Sequence, residues 1–539
     1  MITSIDTEKF EKNRMMRTVE AEIITMPRET PIVLSEGVAN SYSETIDKQH
    51  KKERGQFFTP MKWASFMASF ACVNTELKRL KILDPGCGTL ILTCALLERI
   101  VKVNPNISLI EVDAYDTDAS LEELNAEIIN SVTRWGDELG VKIRINFMTA
   151  DFILANREMP QEGKFGNYDY VISNPPYFKI GKQDPRLSVF KGKLQGQQNI
   201  YGLFLLVSSY LLKQGGQLIY LIPRSFTSGL YFQSFREHFL SIATLEYIHI
   251  FGSRAEGFKK DDVLQENIIL TASRNPSNTS NLVSISYSKG IADIENDLIR
   301  QYHKSTIIQD HGKFKIIHLP INDQEEFAIN VFGRWKNTLE CYGMKVSTGP
   351  VVPFRSKEFL RFEKRSKHKF APLVWMHNCL KMRLDLSITK SDKQRWVLDN
   401  NRSNSKTLAN KNYVLLRRFS SKDDEYKLVA TPVFADKLKY PRIGIENHLN
   451  YLHRPDGELG AIEALGLAVL YNSSLFEAYF RSFSGNTQIS ATELNKTPMP
   501  PLESIVEIGR EYERLSLEGI EGIDDIVGRV LGLEEIRAI

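Results

Sequence analysis

Leu80-Lys81-Ile82-Leu83-Asp84-Pro85-Gly86-Cys87-Gly88-Thr89-Leu90 reads as a hydrophobic strand, a turn holding two glycines, and the start of a helix that continues to Val101. A strand that passes into a helix through such a turn opens many nucleotide-binding α/β sheets, so the order of elements around it decides the fold. Further strand candidates follow at 110–115, 143–148, 170–173, 217–222 and 247–250, with helical segments between most of them. That alternation predicts a parallel, doubly wound sheet. The segments 263–270 and 283–287 are expected to close it as a hairpin. Upstream, Trp63, Phe66, Met67 and Phe70 recur at helical spacing, which predicts an amphipathic helix over 63–73. The lysine-rich stretch 43–54 reads as a helix leading into Gly55-Gln56-Phe57-Phe58-Thr59-Pro60. Residues 1–40 carry no clear pattern.

In sheets of this kind ligands sit beyond the carboxyl ends of the strands, near the topological switch point. Asp84, Asp116, Asp151 and Asn174 each follow a predicted strand, so four polar residues converge on one rim. Gly86 and Gly88 allow close approach of backbone to ligand, and the helix from Leu90 turns its positive end toward a carboxylate. The methionine moiety of S-adenosylmethionine meets that description. Asp116, in Tyr115-Asp116-Thr117-Asp118, is placed to accept from both ribose hydroxyls, and Asp151 to bind the adenine amino group. Singly, each aspartate reads equally well as a strand-end or helix N-cap residue. The ordered set favours the cofactor.

Asn174-Pro175-Pro176-Tyr177 is the most specific local signal. Two prolines fix φ and hold the preceding asparagine extended, giving a rigid loop. The lone pair of an aromatic exocyclic amine is delocalised into its ring, which makes the nitrogen a poor nucleophile toward a sulfonium methyl. The Asn174 side-chain oxygen and the Pro175 carbonyl can accept both amino hydrogens and favour a tetrahedral nitrogen, with no strong base required. Tyr177 offers a face for the base, worth roughly 1–3 kcal/mol by stacking. A base inside a duplex must be flipped out to reach such a pocket. Phe258, in Glu256-Gly257-Phe258-Lys259-Lys260, is the candidate second wall, although its spacing equally suits an ordinary loop phenylalanine.

At 539 residues the chain exceeds one usual hydrophobic core, so two domains are expected. The net charge of +3 conceals strong segregation: residues 351–445 hold 22 Lys/Arg against 9 Asp/Glu, or +13, which leaves −10 for the rest. Such a module suggests a polyanionic partner. A solvated lysine-rich surface is the competing reading, and arginine pairs beside aromatics favour nucleic acid. The five cysteines form no CxxC pair, so neither a disulfide framework nor a metal site is expected. With no long apolar run and no signal-peptide core in the first thirty residues, the expectation is a cytoplasmic protein without a membrane span.

Together these residues resemble the gamma-class N6-adenine DNA methyltransferases, in particular the PstI-like type II modification methylases related to TaqI methylase. Gly55 to Pro60 is similar to the N-terminal cofactor motif of that family, followed in family order by the Asp84 turn, Asp116, Asp151-Phe152 and the Asn174 loop. The resemblance implies that Thr59 and Pro60 contact the methionine end of the cofactor, Thr117 and Phe152 pack on its adenine, and Phe258 stacks on the flipped base. Tyr413 to Lys422 resembles a basic segment of the target-recognition region, which makes Arg417, Arg418 and Lys422 the DNA-contact candidates. Ser484 to Ser490 with Pro498-Met499-Pro500 resembles the C-terminal signature. One departure is Leu90, where the family usually has glycine. Leucine adds bulk near the cofactor and disfavours positive φ.

The expected architecture is therefore a Rossmann-like class I methyltransferase domain over 51–330, an N-terminal extension over 1–50, and a mixed α+β target-recognition domain with C-terminal helices over 331–539. The expected function is methylation of adenine N6 in double-stranded DNA by a monomer, beside a separate cognate restriction endonuclease. An RNA adenine or protein glutamine methyltransferase, or a non-catalytic DNA-binding protein, are the alternatives.

Overall fold

The computed structural model describes residues 30–46, 58–190, 192–195, 198–252, 266–274, 281–294, 298–311, 314–364, 369–420, 425–484, 488–518 and 522–533. The chain divides into two units, residues 1–226 with 231–304, and residues 227–230 with 305–539.

In the first unit, strands β1 (Arg79–Pro85), β2 (Leu109–Asp116), β3 (Lys142–Thr149), β4 (Tyr168–Ser173), β5 (Leu212–Pro223), β6 (Ala243–Phe251), β7 (Asn267–Arg274), β8 (Leu282–Ser288) and β9 (Leu298–His303) form one sheet. Its order is β3-β2-β1-β4-β5-β7-β6-β8-β9. The first five strands are mutually parallel, as the alternating pattern predicts, and this is the class I methyltransferase fold. Helices α1 (Pro31–Thr45), α2 (Met61–Ser69), α3 (Ile91–Val103), α4 (Leu121–Glu138), α5 (Ile200–Leu211) and α6 (Gln233–Ile242) belong to the same unit. Because β1 pairs with β2 on one side and β4 on the other, the switch point falls between β1 and β4, where the glycine turn and the Asn174 loop emerge.

The expected hairpin of 263–270 with 283–287 does not form. β7 enters antiparallel between β5 and β6, and β8 pairs parallel with β6. Burial explains the difference. Every residue of β7 except the last is buried, so the strand takes a neighbour on both edges as well as cover on both faces.

Helix α1 begins within the stretch that lacks a sequence pattern. Pro31 opens it, where a missing N–H costs nothing, and its buried face is Ile32, Ser35, Ala39 and Tyr42. Small and polar residues on that face leave little apolar periodicity to read. The helix ends at Thr45 instead of running from 43 to 54, and residues 47–54 lie outside the described residues. Part of the expected N-terminal extension is thus integral to the first unit.

The units part after Lys304, earlier than the expected boundary at 330. Ile316, Ala328, Val331 and Phe332 pack into the second unit's core, where the Phe332 and Tyr479 rings stack at 3.7 Å. That unit is mixed α+β. A four-stranded antiparallel sheet runs in the order Lys345–Thr348, Leu449–His453, Tyr413–Arg417, Ala430–Val433, beside a second sheet of short strands. Helices α7 (Asp323–Phe332), α8 (Ala461–Tyr471), α9 (Ser474–Phe483), α10 (Leu502–Leu517) and α11 (Ile523–Leu531) complete it. Among the described residues no helix is long and apolar enough to cross a membrane.

Leu90 caps α3 with φ of 61° and a fully buried side chain. A leucine in the left-handed region costs about 1–2 kcal/mol. Its side chain is fully buried in the core and is not among the residues lining the cavity described below. Leu90→Gly relieves the backbone but deletes a buried side chain, and truncations of that kind cost about 2–5 kcal/mol. Chemical denaturation of this variant is expected to show a net loss of roughly 1–3 kcal/mol. A gain in stability would show that backbone strain dominates.

Candidate active site

The turn after β1 is held by hydrogen bonds to several of its backbone groups. Gly86 and Gly88 have φ of 74° and 53°, values that the absence of a Cβ makes inexpensive. The amides of Gly86 and Cys87 both donate to the Tyr115 carbonyl, at 2.8 and 3.0 Å, and the Gly88 amide donates to Asp116 Oδ2 at 3.0 Å. On the carbonyl side, Asn125 Nδ2 donates to Gly88 O at 3.0 Å and Ser35 Oγ to Thr89 O at 2.6 Å. The amides expected to face a ligand thus already have protein acceptors, and the glycines serve close approach instead of donation.

The four strand-end residues divide into two kinds. Asp84 is fully buried behind the turn; its Oδ2 accepts from Thr93 Oγ1 at 2.7 Å, occupying the first turn of α3. Ile91 and Leu92, at the start of the same helix, line the cavity described below. Asp84 Oδ1 has no hydrogen-bond partner, and burial pushes the carboxyl up to about 7. Asp116 closes β2, with Oδ1 accepting from the Asp118 amide at 3.0 Å, and burial raises its carboxyl as well. Asp151 caps the short helix Phe152–Ala155 through the Leu154 amide at 2.9 Å.

Asn174 follows β4 directly. Ser173 Oγ donates to Pro85 O at 2.6 Å and draws this loop against the glycine turn. Asn174 Nδ2 donates to Thr59 Oγ1 at 3.0 Å, while Oδ1 accepts from the Tyr177 hydroxyl at 2.5 Å. That hydroxyl also lies 2.8 Å from the Leu221 carbonyl, so one proton serves two acceptors. Burial holds Tyr177 protonated, well above its ordinary range. The amide plane is thus clamped from both ends, and Oδ1 retains capacity to accept.

A cavity of about 370 Å³, within the range of small-molecule sites, opens on this rim. Thr59, Gly86, Gly88, Asp116, Thr117, Asp151, Phe152 and Asn174 all line it. Asp84 and Tyr177 stand behind the lining, Pro175 is buried, and Pro60 is exposed as the residue before α2. Phe258 lies outside the described residues.

Among the lining residues that the sequence did not single out are Phe58, Phe178, Arg186 and Phe204. Phe58 and Phe178 adjoin the quoted motifs, which is a usable signal. Phe204 sits on α5, a helix buried on every side and so without periodicity. Arg186 grips Asp184 with Nε to Oδ1 at 2.8 Å and an Nη to Oδ2 at 2.6 Å, and approaches Asp151 Oδ2 at 3.7 Å. That contact with Asp184 holds the carboxyl of Asp184 low and raises the guanidinium of Arg186.

In the second unit, Arg417 Nε donates to the Cys379 carbonyl at 2.8 Å, and an Nη of Arg418 donates to the Asn447 carbonyl at 3.1 Å. Burial lowers the Arg418 guanidinium. Both expected DNA-contact arginines therefore spend donors on their own backbone. Lys422 lies outside the described residues.

The profile of the Eco57I restriction-modification methylase family matches residues 88–258. The type II methyltransferase M.PstI of Providencia stuartii is 30% identical over 502 residues, covering 93% of this chain and 97% of its own length. The type II methyltransferase M.BsuBI of Bacillus subtilis is 30% identical over 503 residues, covering 90% of this chain and 96% of its own.

Asp84 generates a pH prediction. Its raised value in the fold means that the folded state favours the protonated carboxyl, so its contribution is complete below the unfolded pKa and is lost as pH rises through the folded one. Relative to Asp84→Asn, the wild-type protein is expected to lose stability between about pH 4 and pH 7, at up to roughly 1.4 kcal/mol per unit, then level off. Denaturation of both proteins across that range checks it; a constant difference would show that Asp84 is ionised throughout.

Proposed function

Because this chain belongs to the type II methyltransferase family that includes M.PstI and M.BsuBI, we propose that it methylates adenine N6 in duplex DNA, using S-adenosylmethionine. In this reading it is the modification member of a restriction-modification pair, with the endonuclease a separate protein. One observation carries the chemistry: the Asn174 amide at the cavity lining, clamped by Thr59 and Tyr177 with its oxygen left able to accept.

The residues present fit the cofactor. Asp116, at the end of β2 and on the cavity lining, suits a ribose diol. Phe152 and Phe204, with ring centroids 5.2 Å apart, give the cavity an aromatic side, while Asp151 with Arg186 gives it a polar one. Bound S-adenosylmethionine supplies an electrophilic methyl group on a sulfonium.

The chain's own residues prepare the nucleophile. Asn174 Oδ1 and the Pro175 carbonyl accept the two amino hydrogens of a flipped adenine, which localises the nitrogen lone pair. Thr59 keeps the amide oxygen turned to the substrate by occupying the amide nitrogen. Tyr177 holds Oδ1 in place without neutralising it, because the Leu221 carbonyl competes for the same proton. The methylated nitrogen sheds its extra proton to solvent. Phe258 is the proposed second wall for the base, and the basic stretch 351–445 supports a polyanionic substrate.

Transfer of labelled methyl to duplex DNA, with nucleoside mass spectrometry of the product, tests this reading. N6-methyladenine is expected, and Asn174→Ala should lower the single-turnover rate by roughly 10²–10³-fold while cofactor binding persists. Undiminished transfer in that variant, or label entering RNA or protein and never DNA, contradicts it.

A further inference from the structure

Within the basic stretch of the second unit lies a cavity of about 220 Å³ whose described lining includes His377, Lys390, Lys393 and Arg395 and no acidic residue. The two loops that carry these cations are fixed from beneath. Asn378, buried, donates through Nδ2 to the carbonyls of Asp385 and Ile388 at 2.9 and 2.8 Å, and its Oδ1 accepts from the Trp375 amide at 2.9 Å. Trp375 Nε1 donates to the Gln394 carbonyl at 2.6 Å, holding the Lys393–Arg395 loop against strand Phe370–Val374. At the rim Lys364 lies over both the Trp396 and Tyr440 rings, at 4.1 and 4.5 Å, and donates to the Tyr440 hydroxyl at 2.6 Å.

Cations gathered this closely repel one another, and the acid in ion-pair contact here is Asp392, whose Oδ2 is 3.3 Å from Lys393 Nζ. Burial, with Lys390 and Lys393 beside it, holds His377 below its usual range. Aromatic faces and pinned loops prepay the ordering of long side chains, which is the cost that weakens solvated lysines as anion ligands. Arg417 and Arg418, by contrast, already serve backbone carbonyls.

We infer that this pocket, formed by His377, Lys390, Lys393 and Arg395 over Trp375 and Trp396, grips the sugar-phosphate backbone of the DNA substrate. It rests on the reading of duplex DNA as substrate. A phosphodiester oxygen pair meets the converging N–H donors, and the aromatic walls take the flank of the sugar. The contact positions the duplex and reads no sequence.

Anisotropy titrations of a short fluorescein-labelled duplex over a range of salt concentrations test it. Lys390→Ala/Lys393→Ala is expected to weaken binding roughly 10- to 100-fold and to make the log–log salt slope shallower by about 2, with calorimetric affinity for S-adenosylmethionine unchanged. Lys102→Ala, an exposed lysine on α3, is the control and should leave both unchanged. Both lysines are at the surface or half-buried, so thermal unfolding of the double variant should match the wild type. Unchanged affinity and slope in the double variant overturn the inference while the wild type still binds DNA. Inorganic phosphate that binds the wild-type pocket without competing against DNA also overturns it, by marking a free-anion site. A wild-type protein that binds no duplex overturns the substrate reading and this inference with it.

Discussion

The hydrogen bond from Asn174 Nδ2 to Thr59 Oγ1 is the constraint on which the proposed chemistry depends. An asparagine amide is nearly symmetric in shape, so only its partners determine whether nitrogen or oxygen meets a substrate. Thr59 takes the nitrogen side, and the Tyr177 hydroxyl takes the oxygen side without saturating it. Donor and acceptor come from segments 115 residues apart, which makes the orientation a property of the folded sheet and not of the Asn-Pro-Pro-Tyr loop alone.

What holds Thr59 and the glycine turn in that relation is largely α1. Ser35 secures the turn at the Thr89 carbonyl, Tyr42 donates to Asp118 Oδ2 at 2.9 Å, and Glu36 accepts from the Met61 amide at 2.8 Å at the start of α2. One helix therefore braces both the cofactor turn and the segment that orients Asn174. Its working face is polar, because its contribution is hydrogen bonding to backbone and less apolar burial.

Asp116, Asp151 and Asn174 were legible in the sequence because each follows a strand, where the change from alternating or apolar runs to turn chemistry is local. Of the four strand-end residues, Asp116, Asp151 and Asn174 line one cavity, while Asp84 is buried behind it. What could not be read there were relations between distant segments. β7 falls between β5 and β6 because of burial shared with neighbours that sequence order does not name. Asp84 bonds to Thr93 in the first turn of α3, and this pairing goes with a carboxyl that is fully buried and off the cavity lining. Arg186 reaches Asp151 across 35 positions, and no spacing announces it. Leu90 shows the converse: the positive φ that its place in the motif implied is present, and the leucine tolerates it because its side chain fills the core. Arg417 and Arg418 stood out as an arginine pair, but their backbone contacts appear only in the folded sheet.

The central claim is that Thr59 acts by orienting Asn174, and single-turnover methyl transfer by Thr59→Val tests it most directly when cofactor affinity is measured separately. Valine keeps the shape and removes the acceptor. The account predicts a rate at saturating cofactor lowered about 10- to 100-fold, as expected for a misplaced catalytic group, with the dissociation constant for S-adenosylmethionine nearly unchanged. A weakened cofactor affinity with the saturated rate preserved would contradict it, and would assign Thr59 to the cofactor instead.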